Sequence, residues 1–122
     1  MTQKIRFIKE DGDKQSVPNH EDYLLLADFL NDFKRYYFDD QEELIHNFEL
    51  IQQGIKTFNE VHDPSVSWNF GNQGYFLPQG YLEIDNGKVY LDPEKEKTES
   101  KSVCLELSEF IDLLKKWNFY LK

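Results

Sequence analysis

The chain has 122 residues, 16% of them aromatic, and a net charge of −9, with an isoelectric point near 4.7. That length bounds it to one domain, residues 1–122, and ten Phe, seven Tyr and two Trp supply a core despite a mean hydropathy of −0.70. The acidity argues against a phosphate-binding or anionic-membrane surface, no apolar run approaches a membrane span, and a lone cysteine, Cys104, excludes an internal disulfide.

A single thiol fits a reducing cytoplasm, and the N-terminal residues lack an apolar signal core. Lys4–Lys9 is a short β-rich run and predicts the first strand. Glu10–Pro18 is polar, holds Gly12 and Pro18, and reads as a loop. Asn19 then opens a helix, with Glu21 and Asp22 in its first turn, where carboxylates suit the helix dipole. Tyr23, Leu26, Ala27, Leu30, Phe33 and Tyr37 recur at three- and four-residue steps, the buried face of a helix of about 20 residues.

Asp39 and Asp40 break that pattern, and Asp40 with Glu43 forms a capping box for a second helix. Leu44, Phe48, Ile51, Ile55 and Phe58 carry its apolar stripe, which Gly54 weakens and Asp63-Pro64 ends. Two such helices with a tight polar junction predict an antiparallel helical hairpin.

Val66, Trp68 and Phe70 alternate as in a half-buried strand, and residues 71–80 form a loop bearing Tyr75 and Phe76. Asn86-Gly87 lies between two alternating runs and predicts a two-residue type I′ hairpin. That register pairs Asp85 with Lys88, Ile84 with Val89 and Leu82 with Leu91. Residues 92–101 are a charged loop. Val103, Leu105 and Leu107 predict a further strand. Ser108 caps a last helix with Phe110, Leu113, Leu114, Trp117 and Leu121 on its buried side. The expected architecture is α+β: an N-terminal strand, an antiparallel helical hairpin, an antiparallel β-meander, and a C-terminal helix packed on the sheet.

No catalytic motif stands out. Glu43 and His46 match the Glu-x-x-His pair of di-iron bundles, but no second pair exists, and His46 falls near the outer side of its helix. His62-Asp63 resembles a base with its orienting acid, and equally a helix end entering an Asp-Pro turn. His20 has no evident partner. Cys104 alternates with the apolar side of its strand and reads as a structural cysteine. Ser65, Ser67 and residues 71–74 match no nucleophile elbow or phosphate loop. The chain is therefore expected to be no enzyme and to need no cofactor or metal. A small enzyme using His62 or Cys104 is the minority reading.

The charge is more informative. Residues 19–63 hold eleven carboxylates against three cations, a net −8. Turned at about 100° per residue, Glu21, Asp28, Asp32 and Asp39 fall within about 20° of one common direction, opposite the stripe centred on Leu30. Leu25 and Tyr36 flank this seam, Arg35 lies on its other edge, and Glu42, Glu49 and Glu60 face outward from the second helix. A seam of one sign repels itself, and a basic partner would relieve that repulsion.

Residues 104–119, Cys-Leu-Glu-Leu-Ser-Glu-Phe-Ile-Asp-Leu-Leu-Lys-Lys-Trp-Asn-Phe, resemble the ending of small bacterial immunity proteins of polymorphic and contact-dependent growth inhibition toxin systems. There a last strand runs through a cap into an amphipathic helix with a Trp near its end. The resemblance implies a cytoplasmic inhibitor of a cognate toxin, often a nuclease with a basic cleft. Asp28, Asp32, Tyr36, Asp39, Asp40 and Glu42 are the expected contacts, with Tyr75 and Phe76 as a second surface. The alternative is an acidic adaptor or a nucleic-acid mimic of host defence or phage. Neither reading gives the chain a nucleic acid or a membrane as its own ligand.

Overall fold

The structure, a computed structural model, describes residues 4–34, 38–57, 80–93 and 101–122, and for residues 38–40, 80 and 81 the backbone alone. Strand β1 (Ile5–Glu10) pairs antiparallel with β2 (Asp13–Pro18), with Glu10 opposite Asp13. The expected loop over residues 10–18 is thus a hairpin, and its signal was Asp11-Gly12. Both residues have positive φ, 51° and 82°, as a type I′ turn requires. The second strand lacks apolar alternation because of what surrounds it. Of its residues only Ser16 is fully buried, and helix side chains cap its outer edge in place of another strand. The Ser16 N–H donates to Asn31 Oδ1 (2.9 Å), Asn31 Nδ2 donates to the Ser16 carbonyl (3.1 Å), and Lys34 Nζ donates to the Lys14 carbonyl (2.7 Å).

Asn19 continues the ladder, donating its N–H to the Lys4 carbonyl, and does not cap a helix. The cap is His20, whose extended backbone lets Nδ1 accept from the Asp22 N–H at 3.1 Å. A 3-10 turn (Glu21–Tyr23) leads into α1 (Leu24–Phe33). Leu25, Leu26, Ala27, Phe29, Leu30 and Phe33 are all buried, an arc wider than one stripe. The reason is position: α1 lies along β2 and also meets β4.

Helix α2 (Phe38–Gln52) is already helical at Asp40, so the expected Asp40–Glu43 capping box does not form. It ends at Gly54, some ten residues before Asp63-Pro64. Gly54 has φ +75°. The Ile55 N–H bonds the Leu50 carbonyl and the Gly54 N–H bonds the Ile51 carbonyl, a Schellman cap that glycine enters without a Cβ clash. Ile55, expected in the core, is 62% exposed beyond that cap. The helical hairpin is also corrected: α2 lies along α3, the C-terminal helix (Leu107–Leu121), while α1 lies along β2.

The meander β3 (Gly80–Asp85), β4 (Lys88–Pro93) and β5 (Val103–Glu106) has the order β3-β4-β5 and the expected register, with Asp85 opposite Lys88, Ile84 opposite Val89 and Leu82 opposite Leu91. Ile84, Val89, Leu91, Val103 and Leu105 turn inward. The expected strand over Val66–Phe70 lies outside the described residues. No loop separates β5 from α3, so Ser108 lies inside the helix and Glu106 occupies the cap without a side-chain bond. The Leu107 N–H finds the Gly87 carbonyl of the β3–β4 turn at 2.9 Å.

The core is built on α3. Phe110, Leu114 and Trp117 are fully enclosed. Phe29 of α1 packs tilted against Phe110 and Phe48 of α2 meets it edge-on, with centroids at 5.4 and 5.5 Å. Trp117 packs on Phe7 of β1 at 4.9 Å and donates Nε1–H to the Leu30 carbonyl at 2.7 Å. Lys14 of β2 donates Nζ to the Tyr120 carbonyl at 2.9 Å, capping the last turn of α3 with a cation, as its dipole favours.

Candidate functional site

Much of the acidic segment is answered within the chain. Glu42 lies 2.6 Å from Lys122 Nζ and Glu49 lies 3.1 Å from Lys115 Nζ. Both pairs join α2 to α3, which run antiparallel, and each helix spaces its charges seven residues apart. Asp22 lies 2.9 Å and Glu21 4.0 Å from Lys101 Nζ. Hydrogen bonding to Lys101 holds the Asp22 carboxyl below its ordinary range. These partners were missed because they come from the far end of the sequence. The matching seven-residue spacing of Lys115 and Lys122 was the available signal.

Asp28 of α1 differs. Asp28 and Asp32 stand one turn apart and are partly buried, not on the fully exposed side expected for them. The wide apolar arc explains this, since the buried Leu25 and Phe29 lie beside Asp28. Leu25, expected to edge an exposed seam, is only 1% accessible. Burial first, and the neighbouring Asp32 charge second, push the Asp28 carboxyl up to about 6. Among the described residues Asp28 has no ion pair. The other expected contacts stand elsewhere. Glu21 and Glu42 belong to the paired groups, the side chains of Asp39 and Asp40 lie outside the description, and Tyr36, Tyr75 and Phe76 lie outside the described residues.

No catalytic group assembles among the described residues. Glu43 and His46 are both exposed, and no three His, Cys, Asp or Glu side chains converge as metal ligands. Cys104 is exposed opposite Tyr90, and its thiol has no hydrogen bond among the described residues. His62, Asp63, Ser65, Ser67 and residues 71–74 lie outside those residues. A cleft of about 680 Å³ opens between β1 and α3. Of the charges on it, Lys4 is paired with Glu109 at 2.8 Å and Lys116 with Asp112 at 2.9 Å. No helix of the described residues is long and apolar enough to cross a membrane.

No protein-family model, curated protein or solved structure matches this chain.

Proposed function

We propose that this chain is an immunity-type inhibitor, a binding protein and not an enzyme, which neutralises a cognate toxin by laying an acidic surface on a basic cleft. The observation that supports this reading best is Asp28, partly buried one turn from Asp32 and without an ion pair among the described residues. Two carboxylates one turn apart, one of them with its proton affinity raised by burial and by its neighbour, form a place where an incoming Lys or Arg gains more than at a solvated acid. A cation there removes the repulsion and displaces the Asp28 proton. The ion-paired carboxylates Glu42, Glu49 and Asp22 offer a partner less, because their own lysines must first be displaced. The residues of the C-terminal strand and helix that resemble immunity proteins form one continuous unit in the fold, β5 running directly into α3.

The test is co-expression with the product of the gene immediately upstream, followed by affinity capture of this chain. Capture of a toxic protein in a salt-sensitive complex, with growth restored, supports the inhibitor. A non-toxic neighbour that is not captured overturns it. Calorimetry with D28K/D32K then assigns the site, and unchanged affinity moves the contact elsewhere.

A further inference from the structure

Strand β1 has two edges, and the described residues use only one of them. In a two-residue hairpin the residues flanking the turn exchange hydrogen bonds, so Glu10–Asp13, Ile8–Gln15 and Arg6–Val17 are the bonded pairs of β1 and β2. The Asn19 N–H on the Lys4 carbonyl at 2.9 Å carries the same phase one step further. The backbone N–H and C=O of Ile5, Phe7 and Lys9 therefore point away from β2. Among the described residues no hydrogen bond reaches them. The outer edge of β2 is treated differently, since Asn31 and Lys34 close it. The uncapped edge faces the cleft of about 680 Å³, whose apolar lining includes Leu26, Leu105 and Leu113. An open edge with an apolar floor is the geometry that accepts a further strand.

We propose that the strand it accepts is β1 of a second copy of this chain, antiparallel, about a two-fold axis at Phe7. A two-fold interface must be complementary to itself, and this edge is so in charge. With Phe7 opposite Phe7 of the second copy, Ile5 faces Lys9 and the two bond through the outward backbone groups. Lys4, which within one copy bonds Glu109 at 2.8 Å, then lies between that carboxylate and Glu10 of the second copy, at a non-bonded position where cross-strand side chains approach most closely. The same pairing occurs again across the axis. Helix α3 repeats the pattern. It runs beside β1 in the same direction, from the Lys4–Glu109 pair to the Phe7–Trp117 contact. Two copies of α3 thus approach antiparallel, and the acidic start of the rim, Glu109 and Asp112, meets Lys116 of the other copy. The product is one sheet of four strands, β2-β1-β1-β2, with no uncapped edge left. The proposal does not depend on the inhibitor reading and uses a different face from Asp28.

The test is the molar mass of the full chain by light scattering at micromolar concentration. The expected mass is twice 14.6 kDa. K9P removes an outward N–H and leaves the ladder to β2 intact, so it should give a monomer with an unchanged circular dichroism spectrum. E10K, at an exposed side chain, sets two lysines against each other and should weaken the dimer about ten-fold or more. K4E should do the same with two glutamates. E10K and K4E chains mixed one to one should re-form a dimer, because both cross-strand pairs are again of opposite sign. A monomeric wild-type chain overturns the proposal. Slow amide exchange at Ile5, Phe7 and Lys9 in that monomer would then mean that the chain covers its own edge. A dimer indifferent to both K9P and E10K overturns it too, by placing the interface on another face.

Discussion

Asn118 of α3 donates its side-chain N–H to Gln41 Oε1 of α2 across 2.8 Å, and both side chains are buried. This polar bond inside an otherwise apolar helix interface fixes the position of α2 along α3. Glu42–Lys122 and Glu49–Lys115 hold the same alignment at the surface. Removing Asn118 takes this donor from the buried Gln41 Oε1. We expect Asn118→Leu to cost about 1–3 kcal/mol, measured by urea denaturation. The double variant Gln41→Leu/Asn118→Leu should lose less than the single one.

Asp28 gives the chain a pH dependence of stability with a definite sign. Its folded carboxyl titrates at about 6 against an ordinary 3.8. Between those values the folded state holds the proton and the unfolded state does not. The group's protonation therefore favours the fold at low pH, and that contribution is lost as pH rises through about 6. Asp28→Asn removes the charge. It should stabilise the protein by about 1–2 kcal/mol at pH 8, allowing for partial exposure, and change little at pH 4. Thermal melts across pH read this directly.

On the inhibitor reading proposed above, the same titration predicts a pH dependence of partner binding. If a partner cation displaces the Asp28 proton, affinity rises from pH 5 to pH 7, and calorimetry in buffers of different ionisation enthalpy detects the proton released. Asp28→Asn should abolish both effects.

Trp117 is enclosed, touches Phe7 and Tyr120, and donates to the Leu30 carbonyl. Trp117→Phe keeps most of the ring volume but loses the bond, at a cost of about 1–2 kcal/mol. Trp117→Ala also opens a cavity and should cost about 3–5 kcal/mol. Denaturant midpoints distinguish the two.

At Gly54 any other residue meets strain, because φ there is +75°. Gly54→Ala should cost about 1 kcal/mol and fray the last turn of α2, seen as faster amide exchange at Gly54 and Ile55. Space is not the cause, since nothing lies within 4 Å of an added Cβ.

What the sequence made legible was whatever depended on neighbours in the chain. Asn86-Gly87 sets the register of β3 and β4 because the turn and the alternation of Leu82, Ile84, Val89 and Leu91 agree. Asp11-Gly12 is as strong a turn, yet β2 went unread, because Asn31 and Lys34 satisfy its edge from another element and leave its sequence polar. Gly54 reads equally as a weak point or a stop, and only its left-handed backbone decides. The candidate site was legible as charge and not as geometry. Eleven carboxylates over residues 19–63 can be counted, but their cations stand 66 residues away for Glu49 and 80 for Glu42. The burial of Asp28 follows from α1 being covered on more than one side, which helical periodicity does not show.

Lys14 ties β2 to the carbonyls at the end of α3, and Phe7 lies on Trp117 from the other strand of the same hairpin. These contacts link residues more than a hundred positions apart. During synthesis the hairpin and α1 exist long before the helix that covers them, and until residues 107–121 appear, Leu30 lacks Trp117 and Phe29 lacks Phe110. Closure of the fold is thus a late event that depends on long-range contacts, which slow folding. A nascent chain stalled before α3 would present that apolar surface to chaperones and to other nascent chains.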